Sequence, residues 1–178
     1  TTEIYTLSLH DGFRILKPEN ILLGERSRIC IADFGVAEIS AADEPLKVFG
    51  TKGTPLFWPP EMFSADSQSW SGAVQDVWAL ACTLYIMIYG FHPFHGATFI
   101  EIKEAVCNGE VEYPSQPKIS DNLLELLKTM LSKDPNDRLA LEYIRCHPFL
   151  AGVSRPVPVL NVVQVSQVEC VQAIDERR

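Results

Sequence analysis

The sequence contains little that would send it to a membrane or to nucleic acid. Its most apolar stretch, Val77–Tyr89, runs only 13 residues without a charge, and a bilayer span needs roughly 20. Basic residues are scarce, 15 Lys and Arg against 23 Asp and Glu for a formal charge of -8, and never more than two stand side by side. The basic stripe that a phosphate backbone requires is therefore missing. The five cysteines, Cys30, Cys82, Cys107, Cys146 and Cys170, lie far apart with no C-x-x-C. That excludes a disulfide framework and fits reduced thiols in a cytoplasmic protein. None of the ten glycines forms a G-x-G, no signal peptide is visible, and no internal repeat occurs. The chain opens on Thr1 rather than Met, which suggests a fragment.

What is present is a core. With 178 residues and 47% hydrophobic content, the chain has length for one domain and ample apolar material. Gly72 to Gly90 is apolar on every face at helical spacing, and such a helix must be buried. Asp76 is expected in its first turn, where the helix dipole favours a carboxylate, with Ser71 as its cap. A carboxylate beside so apolar a helix needs hydrogen-bond partners, most naturally the backbone of a loop pinned against it.

Other elements follow from local signals. Residues 3–10 read as the end of an amphipathic helix broken by Asp11-Gly12. Ile21–Leu23 and Arg28–Ile31 read as a small hairpin. Residues 36–60, rich in proline and glycine, read as a long loop of the kind that usually carries function. A short helix is expected at Glu61–Ser64. Thr98–Asn108 is helical and closed by Gly109, and Ser120 or Asp121 caps a helix to Leu131 with Leu123, Leu124, Leu127 and Leu131 inward. After an Asp134-Pro135 turn, Asn136 or Asp137 should start a helix reaching about Cys146. In the tail from Ala151, Ser166 and Glu169 form a capping box ahead of a last short helix.

The motifs carry chemistry in a fixed order. Arg14-Ile15-Leu16-Lys17-Pro18-Glu19-Asn20 is followed 13 residues after Asn20 by Asp33-Phe34-Gly35. Then come Gly53-Thr54-Pro55, Pro59-Pro60-Glu61, Asp76-Val77-Trp78, Pro93-Phe94, Asp134-Pro135 with Arg138, and His147-Pro148-Phe149. In order and spacing these resemble the protein kinase family. The resemblance implies a catalytic loop at 14–20, the end of an activation segment at 53–61, and a pinned loop held by Asp76.

It also implies roles. Phosphoryl transfer is mostly positioning and charge neutralisation, so Asn20 and Asp33 would hold Mg2+. Lys17, Glu19, Asn20, Leu22 and Asp33 would face ATP, Leu22 beneath the adenine. Lys17 and Thr54 would be the catalytic side chains, Lys17 neutralising the transferring phosphoryl group. Glu61 would pair with Arg138, and Phe34 would stack on Phe13, which stands at the family's His position beside Arg14. Lys17 and Gly53-Thr54-Pro55 resemble Ser/Thr rather than Tyr kinases. Residues 53–150 and the tail look most like the calcium/calmodulin-dependent protein kinase kinases, through Ser71-Gly72, Thr83-Leu84-Tyr85, Tyr113-Pro114 and the His147-Pro148 end. Gly50 stands where many relatives carry an activating phospho-threonine.

Two departures matter. The position of the family's catalytic Asp is Ile15, and only the C-terminal lobe is represented, with no Gly-rich loop, strand lysine or helix glutamate. The expected architecture is therefore mainly α-helical, a helical bundle around one buried helix with a small β-hairpin, over residues 1–150 with an extension at 151–178. The expected function is that of a Ser/Thr protein kinase homologue present as an incomplete catalytic domain, whose ATP and Mg2+ binding without an upper lobe is doubtful. The alternative is a catalytically defective pseudokinase scaffold. Either way, a protein substrate or partner would meet the activation segment and helix 98–108. Asp11 as a displaced base would need four residues inserted before Lys17. His92 and His95 as a zinc pair lack a third ligand nearby. A calmodulin-binding basic helix does not occur before the chain ends at Arg178.

Overall fold

A computed structural model describes residues 16–24, 29–33, 47–48, 53–64 and 70–151, with the backbone alone for residues 47–48 and 70–71. Its centre is α1, Gly72–Tyr89, which buries Val77, Trp78, Ala79, Ala81, Cys82 and Tyr85 among others. Burial fades toward its C-terminal end, where Met87 is exposed. Around α1 lie α2 (Phe99–Asn108), α3 (Asp121–Met130) and the single turn α4 (Leu141–Ile144). Among the described residues two antiparallel strand pairs stand beside the helices, the hairpin of β1 (Ile21–Leu23) with β2 (Ile29–Ile31), and β3 (Lys47–Val48) with β4 (Trp70–Ser71). The mainly helical architecture around one core helix with a small sheet is the one the sequence implies.

The helix ends follow their capping chemistry. The Thr98 hydroxyl accepts from the Glu101 amide at 3.2 Å, and the Ser120 hydroxyl accepts from the Leu123 amide at 3.3 Å. Each satisfies an amide that would otherwise lack a partner. The apolar side of α3 is broader than expected, since Leu126, Leu127, Met130 and the following Leu131 are buried while Leu123 and Leu124 are half-buried.

Three expectations change. Helix α1 begins at Gly72, so Asp76 stands in the second turn, and Ser71 just before it is a strand residue pairing with Lys47. The helix expected from 136 to 146 shrinks to α4. Here the Asp134 carboxylate accepts from the Asn136 amide at 2.8 Å, and the Leu139 amide reaches back to the Thr129 carbonyl at 3.3 Å. Such an Asx turn competes with a helix start. Finally, the 36–60 segment is not all loop, because Lys47–Val48 forms β3. Residues 3–10, Phe13, Arg14, Ile15, Phe34, Gly50 and the tail with Ser166 and Glu169 lie outside the described residues.

The core joins the helices to the segment before α1. Trp58, Met62 and Phe63 pack in one cluster with Val77, Trp78, Ala81, Phe94, Val106, Leu126, Met130 and Ile144. Trp78 stacks on Phe94 with ring centroids 5.4 Å apart and planes 4° from parallel. The Arg138 guanidinium lies 5.0 Å from the Trp78 ring and the Lys133 ammonium 3.9 Å from the Phe94 ring. Lys133 also lies 5.6 Å from the Trp78 ring, so both rings meet a cation, a contact worth more as water is excluded.

Candidate functional site

The first part of the site is built by the β1–β2 hairpin. Pro18 opens a 3₁₀ turn over Pro18–Asn20, where its missing N–H costs nothing, and the Asn20 amide closes the turn on the Lys17 carbonyl at 3.0 Å. The chain enters β1 directly. Antiparallel pairing sets Ile21 against Ile31, and the Ala32 amide then donates to the Asn20 carbonyl at 2.8 Å. Asn20 and Asp33, 13 residues apart in sequence, are in this way brought to the same end of one hairpin. The Asn20 side chain is buried, while Leu22 on β1 is 38% exposed. Lys17 is half-buried and Glu19 exposed on the turn itself.

Asp33 has φ +62, the one positive φ on a non-glycine residue among those described. A side chain in that region is uncommon, though Asp tolerates it better than most. Backbone held in such wells costs on the order of 1–3 kcal/mol and concentrates at functional sites. An Asn and an Asp supply oxygen ligands of the kind Mg2+ prefers, and Mg2+ is usually held by one or two carboxylates together with substrate phosphates rather than by an all-protein cage. Among the described residues no group of three His, Cys, Asp or Glu side chains could hold a metal by itself. A single carboxylate beside an amide therefore fits a magnesium ion that arrives with its nucleotide.

The second part runs from Gly53 to Ser64. Gly53 has φ +97, which a residue with a side chain would resist. Thr54, exposed, precedes a 3₁₀ turn over Pro55–Phe57, and Pro59 leads into another over Pro60–Phe63. Leu16, the neighbour of Lys17, lines a crevice of about 20 Å3 together with Thr54, Trp58, Gln75 and Ala79. The loop carrying Lys17 and the segment carrying Thr54 thus share one wall of α1, and α1 also packs against the Pro18–Asn20 turn.

An ion pair fixes that segment. The Arg138 guanidinium donates to both Glu61 carboxylate oxygens, at 2.7 and 3.0 Å, to the Val74 carbonyl at 3.0 Å and to the Ser132 carbonyl at 3.2 Å. The Arg138 side chain is fully buried and that of Glu61 is 12% exposed. A two-pronged pair of this kind fixes orientation as well as distance.

The third part, residues 90–97, carries features that short motifs do not reveal. Burial lowers the His92 imidazole to about 4, only partly offset by the Phe94 carbonyl and the charge of Glu19. Its ring meets Phe57 edge-on, with centroids 5.1 Å apart. Gly96 passes so close to α2 that a Cβ would fall 2.5 Å from the Ile102 nitrogen. Lys133 donates to the Val106 and Ala105 carbonyls at the end of α2, where the helix dipole favours a cation. Burial nonetheless pulls its ammonium down to about 8. Lys133 escaped the sequence reading, and its place before Asp134-Pro135 was the available signal.

A family model described as "Protein kinase domain" matches residues 10–150. The chain belongs to the protein kinase domain family. It is 34% identical over 167 residues to the serine/threonine-protein kinase ssp1 of Schizosaccharomyces pombe, covering 89% of this chain and 26% of that protein. It is 36% identical over 139 residues to a calcium/calmodulin-dependent protein kinase kinase of Caenorhabditis elegans, covering 77% and 25%. A serine/threonine-protein kinase PDK1 of Cryptococcus neoformans is 37% identical over 145 residues, covering 79% and 11%. The chain spans about a quarter or less of the length of these relatives.

Proposed function

We propose that this chain serves transfer of the ATP γ-phosphate to a Ser or Thr hydroxyl of a protein. The observation that carries the reading is the end of the β1–β2 hairpin, where the Ala32–Asn20 hydrogen bond brings Asn20 beside an Asp33 held at φ +62. Bound there, Mg2+ would supply positive charge against the nucleotide phosphates. Asn20 and Asp33 are its proposed ligands, Lys17 steadies the phosphoryl group, and Leu22 offers its exposed apolar face to the adenine. Thr54 stands on the acceptor side, across the crevice from the Lys17 loop. Likeness to a calcium/calmodulin-dependent protein kinase kinase supports that subfamily, and Gly50 then means that activation does not proceed by phosphorylation at that position.

A second reading rests on Ile15. A hydrocarbon side chain accepts no proton, and a positioned base usually contributes about 10²–10⁴-fold. On this reading the fold binds partners through the activation segment and α2 without turnover. Phosphotransfer from γ-labelled ATP, measured for the chain and its Ile15→Asp variant, each joined to a compatible kinase upper lobe, separates the two. With Ile15 as the defect, the variant is faster by at least about a hundredfold, the lower end of that range. Equal, substantial rates would remove the scaffold reading and assign the base to another group. Asp33→Asn should abolish turnover in either background, and its retention would refute the proposed metal site.

A further inference from the structure

Helix α2 ends on Asn108-Gly109, and both residues are tightly held there. The Gly109 amide donates to the Ala105 carbonyl at 3.0 Å and shares its proton with the Glu104 carbonyl at 3.3 Å. The Asn108 side-chain amide donates to the Glu104 carboxylate at 2.9 Å. A Cβ at position 109 would fall 2.6 Å from the Ala105 carbonyl oxygen, so the close approach at this cap leaves no room for a side chain. The same helix end is gripped from outside, because Lys133 donates to the Ala105 and Val106 carbonyls.

Asparagine followed by glycine is chemically unstable wherever the backbone is free. Once a base has taken the Gly109 amide proton, the nitrogen can attack Asn108 Cγ; the N–Cγ bond forms, the Cγ–Nδ2 bond breaks, and the departing nitrogen takes up a proton as ammonia. Glycine has no side chain to obstruct this five-membered ring. Water then opens the imide at either carbonyl, leaving aspartate or isoaspartate, and no other reactant is consumed. Solvent reaches the place, since Asn108 and Glu104 are both exposed. The restraint is the cap itself. Attack requires Gly109 to release the proton that two carbonyls hold, and requires the carboxamide to turn away from Glu104. Both happen when the last turn opens, and helix ends open at far lower free energy than a core does.

We infer that Asn108 is a deamidation site gated by the C-terminal cap of α2, closed in the folded chain and reactive whenever that turn opens. The change runs one way. Isoaspartate lengthens the backbone by one carbon, so Gly109 no longer returns to its place against Ala105. Either product puts a carboxylate at a helix C-terminus, where the dipole disfavours it, and four residues from Glu104, where like charges repel. Helix α2 thus keeps a permanent mark of having opened. It is the helix that the second reading above gives to protein partners.

Timed incubation of the full chain in mildly alkaline buffer, with and without enough guanidinium chloride to unfold it, tests the gate. After digestion with trypsin, the peptide between Lys103 and Lys118 has Asn108 as its sole asparagine. Conversion is read as its mass gain and its split into aspartate and isoaspartate forms. The unfolded chain should convert at least about tenfold faster than the folded one, a ratio that reports how seldom the cap opens. Glu104→Ala, at an exposed position, should raise the folded rate several-fold with little effect in denaturant. Glu104→Gln, which keeps an acceptor for the Asn108 amide, should hold the folded rate near that of the parent. Equal rates in the folded and unfolded chain, no conversion in denaturant, or a folded rate untouched by Glu104→Ala would overturn the inference.

Discussion

Arg138→Leu removes four hydrogen bonds at once, two to Glu61 and one each to the Val74 and Ser132 carbonyls. Leucine fills part of the space against Trp78 but donates nothing. The Glu61 carboxylate, 12% exposed, is then left without its guanidinium in a poorly hydrated place. Breaking a buried pair by removing one partner costs about 3–5 kcal/mol, because the surviving charge is uncompensated. For a chain of this length each kcal/mol lowers the melting midpoint by about 2–4 °C, so the expected drop is roughly 6–20 °C. Circular dichroism melts at one pH and salt concentration measure it. The double variant Glu61→Leu with Arg138→Leu adds the decisive arm. If the cost comes from a stranded carboxylate, removing that carboxylate restores part of the loss, and the double variant melts above the sum of the single effects. A midpoint within about 2 °C of the parent for Arg138→Leu, less than 1 kcal/mol, would refute the pairing as an anchor of the 53–64 segment.

Two further outcomes follow from the same region. His92 titrates near 4 in the fold instead of 6.5, so between those values the unfolded chain takes up a proton that the folded chain refuses. Stability attributable to His92 is complete above pH 6.5 and falls as pH drops toward 4, by on the order of 3 kcal/mol. His92→Phe should flatten that fall in urea unfolding at pH 7, 5.5 and 4.5, and an unchanged slope would refute it. Phe94→Ala, at a 2% exposed position stacked on Trp78, should cost about 3–5 kcal/mol in urea unfolding. A loss below about 1 kcal/mol would mean that the 90–97 loop is not held by that stack.

The central helix was legible because every face of 72–90 is apolar, and α2 and α3 because Thr98 and Ser120 are strong caps ahead of periodic leucines and isoleucines. Those signals are local. The β3–β4 pairing was not legible, since two residues carry no period and their partners lie more than twenty positions away. The truncation of α4 escaped because one carboxylate, Asp134, captures the Asn136 amide and redirects the chain. In the site, Asn20 and Asp33 came from motif order, but φ +62 at Asp33 is a tertiary outcome that no propensity for Asp would foretell. The pocket that Leu56 forms with residues 92–97 was invisible because its two walls meet only after α1 has folded between them.

The Glu61–Arg138 pair joins residues 77 positions apart, and this separation bears on how the protein is made. Ribosomes add about 5–20 residues per second, so roughly 4–15 s pass between synthesis of Glu61 and of its guanidinium partner. Until α3 and the Asp134 turn have left the ribosome, the 53–64 segment lacks its Arg138 anchor, and Trp58, Met62 and Phe63 have no finished core to enter. Contacts this distant close late because the intervening loop entropy is lost before any bond forms. The stretch 53–64 therefore stays open to chaperones and proteases until Arg138 and its neighbours emerge. Substitutions at Arg138 should then lower cellular yield more than their melting temperatures alone imply.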